Sequence, residues 1–99
     1  ERMDHAFERY GKMVNFQLKL KPSEYFKRQI YGTFMDDAVG VANRHYIGVD
    51  NIMWSSDYPH SDSTWPHSQE VITKDFAGVP DAEKRKILLE NAVRVYRLD

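Results

Sequence analysis

The chain has 99 residues, with 14 basic against 15 acidic side chains for a net charge of −1, and no cysteine. That length holds one modest core, so it makes one domain or a piece of one, and the charge balance excludes the concentrated basic face that nucleic acid or an anionic membrane requires. Without Cys there is no disulfide, no Cys-type zinc site and no thiol nucleophile, which fits a reducing, cytoplasmic compartment.

No apolar run approaches the roughly 20 residues of a membrane span. The opening ERMDHAFERYG has no apolar segment of the signal-peptide kind. Met3, Phe7 and Tyr10 recur at helical spacing, which predicts a helix ended or capped at Gly11, with this stripe as core. The pattern begins inside a helix, so the expectation is a chain that starts in the middle of a larger unit. From Met13 to Lys21, apolar residues alternate at Val14, Phe16, Leu18 and Leu20, compatible with a strand or an irregular connection. Pro22-Ser23-Glu24 opens a short helical turn to about Arg28, and Gln29–Phe34 (QIYGTF) reads as a strand.

Asp36 or Asp37 is the candidate N-cap of a helix to His45, with Val39, Ala42 and Tyr46 on one side and Gly48 as its stop. Asn51–Ser55 (NIMWS) is the second strand. Thr64 and Pro66 mark the start of a helix that ends at Gly78. Pro80 and Asp81 open another, with Ile87, Leu88 and Val95 on its apolar face and Asn91 as a candidate internal cap. Strands alternating with helices predict a parallel α/β unit, with the 34–51 connection as the crossover. Two short strands do not make a stable parallel sheet by themselves, so the remainder of a larger fold or further copies of the chain are expected as partners.

Directly after the second strand comes WSSDYPHSDSTWP, residues 54–66, richer in aromatic and polar groups than a turn requires. In parallel α/β folds, functional groups lie at the C-terminal ends of strands. Alternation puts Met53, Ser55 and Asp57 on one side and Ile52, Trp54 and Ser56 on the other. Asp57 thus stands where a metal ligand or general base would be placed. On pattern alone it is equally a turn residue, since Asp-x-Pro turns are common.

SSDYPHSDSTWP, the following Ser68 and the later ENAVRVY (90–96) resemble the C-terminal end of amidohydrolase family 2, as do ERMDHAFERYG and KPSEYFKRQIYGTF earlier. These are metal-dependent hydrolases, (β/α)8 barrels related to 2-amino-3-carboxymuconate-6-semialdehyde decarboxylase. The resemblance covers essentially the whole chain. It implies an α/β fold that is the C-terminal portion of a TIM barrel, 1–99 being a fragment of that single domain: the sixth helix near Glu1, the seventh strand at QIYGTF, the eighth at NIMWSS.

The family binds a divalent metal, usually zinc, through a His-x-His pair on the first strand, a later His and an Asp ending strand eight. Only the last has a match, at Asp57. His5, His45, His60 and His67 form no His-x-His pair. The resemblance therefore implies an enzyme in which Asp57 is metal ligand and catalytic group, acting on a small-molecule substrate by hydrolysis of C–N or C–O bonds or by non-oxidative decarboxylation. The chain alone is expected to hold no metal tightly and to be inactive. His60 and Trp65 are candidate substrate contacts; the plainer readings are local hydrogen bonding for His60 and packing for Trp65. His5, His45 and His67 read as solvated, and Asn91 as a cap. The rival function is a non-catalytic binding or scaffold module derived from the barrel.

Overall fold

The computed structural model describes residues 1–98, which fall into two units, Glu1–Ile30 and the part from Tyr31 onward. In the first unit, helix α1 (Arg2–Tyr10) and helix α2 (Pro22–Gln29) are joined by turns. The alternating stretch 13–21 forms no strand. The chain folds back instead, and Phe16 N–H donates to the Gly11 carbonyl at 2.8 Å. Two short helices offer too little opposing surface to bury the predicted stripe, so no residue of α1 is buried and Met3 remains 62% exposed. Met3, Phe7 and Tyr10 line an open apolar groove with Val14, Phe16 and Leu18 rather than a core. Glu24 reaches back to the Lys21 N–H (2.7 Å), closing the first turn of α2, and Asp4 accepts the Ser23 N–H at 2.8 Å.

The second unit begins with strand β1 (Gly32–Phe34), shorter than predicted because Gln29 still belongs to α2. Asp37 is the N-cap, its carboxylate accepting the Gly40 N–H at 2.7 Å. The single predicted helix is two, α3 (Ala38–Ala42) and α4 (Arg44–Ile47), meeting at Asn43. Val39, Ala42 and Tyr46 are on the exposed side, and Val41 does the packing. Gly48 turns the chain at φ +117°, where a Cβ would also stand 2.8 Å from Asn51 Oδ1.

After a 3-10 turn (Val49–Asn51), strand β2 (Ile52–Trp54) runs parallel to β1, pairing Gly32 with Ile52, Thr33 with Met53 and Phe34 with Trp54. This is the expected strand–helix–strand unit. Among the described residues the sheet has these two strands. Helix α5 (Ser68–Asp75) starts two residues beyond Pro66, and the turn after it has Gly78 at φ +74°. Helix α6 (Asp81–Arg85) runs through a π-helical turn (Lys86–Glu90) into α7 (Asn91–Tyr96).

The core lies between β2 and these helices: Val41, Ile52, Phe76, Val79 and Ile87 are buried together, with Phe34 stacked on Phe76 at 6.3 Å. Full burial of side chains such as Phe76 and Ile87 contributes about 1.5–3 kcal/mol each. Asn91 does not cap a helix. The widened turn before it carries its buried side chain to the sheet, where Nδ2 donates to the carbonyls of Val49 (2.7 Å) and Ile52 (2.8 Å). Arg94 reinforces this corner by donating to the Asp50 carbonyl.

These contacts set the cost of changing Asn91. Asn91→Ala strands two carbonyls, one of them buried, and should cost about 2–3 kcal/mol in urea unfolding. Asn91→Asp sets a carboxylate against both carbonyls and should cost more at neutral pH. In the first unit, hydrogen bonds from Ser23 hold Asp4 below its ordinary value of 3.8. A depressed carboxylate contributes stability above its unfolded value and loses it as pH falls through the folded one. The Ser23 amide resonance should therefore titrate with a midpoint below 3.8.

Candidate functional site

The C-terminal ends of β1 and β2 open on one small pocket of about 200 Å³, lined by Thr33, Phe34, Met35, Ser55 and Asp57. Parallel pairing brings these residues together: Ser55 N–H bonds to the Phe34 carbonyl at 2.8 Å, extending the ladder one step past Trp54. Ser55 and Asp57 reach the same pocket, as period-two alternation requires. Ile52 and Trp54 meet the helices on the other side. At Asp57 the backbone turns into the left-handed region, φ +57°, with its N–H donating to Ser55 Oγ at 3.2 Å. Asp tolerates that conformation better than most residues. Its carboxylate is 59% exposed.

The serines of the segment are used in folding it. Ser56 O accepts from Ser63 Oγ (2.7 Å) and from Thr64 N–H (3.1 Å). Ser63 Oγ in turn accepts the Trp65 N–H at 3.1 Å. Thr64 does not cap directly; its hydroxyl bonds Ser68 Oγ at 2.9 Å, and α5 begins there. The result is a closed loop that fixes the chain just beyond Asp57.

His60 packs back over Asp57. Its N–H bonds the Asp57 carbonyl at 2.9 Å, and Nδ1 lies 3.5 Å from the Asp57 carboxylate. Nδ1 also accepts the Asp62 N–H at 3.3 Å, so the proton of the neutral ring sits on Nε2. Trp65 is 64% exposed and meets Tyr58 edge-on at 5.7 Å. It lines a second groove of about 260 Å³ with Met35, Asp36 and Asp62. The structure thus gathers Asp57 and Ser55 in one pocket, sets His60 beside it and puts Trp65 in the neighbouring groove. Met35 is common to both.

His5, His45 and His67 are exposed; His67 faces Glu70 at 3.2 Å and His45 lies 3.7 Å from Glu83. Thr33 and Met35 escaped the sequence reading. The available signal was their position at the end of a strand parallel to the one that carries Asp57.

A catalytic zinc typically takes three protein ligands and keeps one position open. Among the described residues no group of three His, Cys, Asp or Glu side chains is placed to hold a metal. Asp57 fits the part of one ligand, an accessible carboxylate at a strand end, and its surroundings do not complete a site. Nor is any helix among those residues long and apolar enough to cross a membrane.

The sequence profile of amidohydrolase family 2, described as amidohydrolase, matches residues 15–98. Among solved structures, the crystal structure of 5-carboxyvanillate decarboxylase from Sphingomonas paucimobilis is similar at 30% sequence identity and a TM-score of 0.75, over 97% of this chain and 29% of that one. This chain thus spans less than a third of that enzyme's length. Comparison with curated protein sequences gives no match.

The left-handed backbone at Asp57 separates its conformational role from its chemistry. Asp57→Asn should leave the urea midpoint nearly unchanged. Asp57→Val, β-branched at a positive φ, should cost about 1–2 kcal/mol.

Proposed function

The chain belongs to amidohydrolase family 2, and on that premise we propose that it forms the C-terminal part of a (β/α)8-barrel enzyme. In that reading β1 and β2 are the seventh and eighth strands. Asp57 is the strand-eight ligand of a divalent metal, zinc by family precedent. The supporting observation is the placement of Asp57: an exposed carboxylate in an open pocket at the C-terminal ends of two parallel strands. Barrel enzymes put their chemistry at that end.

The reaction proposed is non-oxidative decarboxylation of a small carboxylate substrate. This is favoured over hydrolysis by the similarity to 5-carboxyvanillate decarboxylase. A divalent metal there supplies Lewis acidity, polarising a substrate oxygen. Ser55 fixes the backbone turn that presents Asp57, and Thr33 and Met35 wall the pocket opposite. With Nδ1 engaged by the Asp62 N–H, His60 offers Nε2–H as a donor to substrate. Trp65 offers an aromatic face from the next groove. Asp57 also takes up a proton during turnover. The remaining ligands come from the rest of the barrel, in the cytoplasm.

Metal content and carbon dioxide release from 5-carboxyvanillate test this together. The 99-residue chain should hold no stoichiometric zinc and turn nothing over. In an intact enzyme containing the segment, Asp57→Ala should lose metal and, through lost proton uptake, a further ~10²–10⁴-fold in rate; His60→Ala should lose less. An isolated chain that is active with stoichiometric zinc would overturn the reading. So would an intact Asp57→Ala enzyme with full metal and full rate, an outcome that favours a non-catalytic scaffold module.

A further inference from the structure

We infer that Lys74 and Asp75, in the last turn of α5, are positioning residues that set the Met35 wall of the Asp57 pocket through the loop 35–37. The inference rests on that pocket being the functional one.

The Asp75 side chain has no exposed surface. A carboxylate is costly to bury unless hydrogen-bonded or paired. Asp75 Oδ2 accepts the Asp37 N–H at 2.9 Å, while Oδ1 has no hydrogen-bond partner and only Lys74 Nζ at 3.5 Å. The core at this point, next to Phe76, would accept an apolar side chain. What the carboxylate adds is its hold on a loop 38 residues away in sequence. Lys74 adds a second hold, with Nζ 3.0 Å from Asp36 Oδ1. Adjacent residues of α5 thus grip adjacent residues of the loop.

The Asp37 peptide is fixed from both directions, its N–H by Asp75 and its side chain by the Gly40 N–H. Met35 lies two residues upstream and lines both the pocket with Asp57 and the groove with Trp65. The Asp36 carboxylate, then Asp75, raise the Lys74 pKa above its ordinary value, so the grip persists wherever the carboxylates are charged.

The test is NMR on the ¹⁵N-labelled chain with Mn²⁺ as probe. In the parent chain Mn²⁺ should broaden the Ser55 and Met35 amides together. Asp75→Ala should speed Asp37 amide exchange by about tenfold and reduce Met35 broadening relative to Ser55. Asp75→Asn keeps an acceptor oxygen and should restore both. Lys74→Ala, at an exposed position, should shift the Met35-to-Ser55 ratio in the same direction by less.

Unchanged exchange and an unchanged ratio in Asp75→Ala overturn the inference. If that variant does not fold, the inference falls on Asp75→Asn losing Asp37 protection, or on Lys74→Ala leaving the ratio unmoved. Broadening that survives Asp57→Ala instead removes the metal reading of Asp57, while the Asp37 exchange result still decides the role of Asp75.

Discussion

The bond pair from Asn91 to the carbonyls of Val49 and Ile52 is the constraint on which the second unit turns. A parallel pair of three-residue strands has little cohesion of its own. The Asn91 amide spans the joint between the 3-10 turn and β2, satisfying two carbonyls that the short ladder leaves over. Ile87, one helical turn earlier and fully buried, closes the apolar contact beside it. Together they fix where β2 lies on the helices. That decides where β2 ends, and so where Ser55 and Asp57 emerge.

Beyond that end the chain changes its source of order. The apolar contacts stop at Trp54, and hydroxyls take over: Ser55, Ser56, Ser63, Thr64 and Ser68 each hold a neighbour. This explains a polar composition that is otherwise excessive for a turn. It also leaves the Asp57 carboxylate exposed while its backbone is held, a division suited to a ligand that must not move when it binds.

Much of this was legible in the sequence. The parallel pairing, the cap at Asp37, the turn at Gly48 and the alternation that puts Asp57 with Ser55 all come from local chemistry and periodicity. The family came from separated blocks of residues. The inferences that failed needed knowledge of opposing surfaces. Met3, Phe7 and Tyr10 have core spacing but no surface to pack against within their own unit. Val14 to Leu20 alternate, yet no strand is there to pair with them. Asn91 has a capping residue's chemistry, and only the tertiary position of two carbonyls redirects it. Asp75 gave no signal, because an Asp late in an amphipathic helix ordinarily faces water.

The π-helical turn at Lys86–Glu90, where Asn91 N–H reaches back to the Lys86 carbonyl, carries a consequence for inheritance. Such a turn holds one residue more than an α-helical path of the same bonding would. Deleting any one residue there would restore an ordinary helix with good local bonding. It would also rotate everything downstream by about 100°, swinging Asn91 off the sheet and Arg94 off the Asp50 carbonyl. The segment is therefore locked in phase. Substitutions can drift through its exposed positions, but a change of length by one residue, harmless in most surface helices, is closed to it.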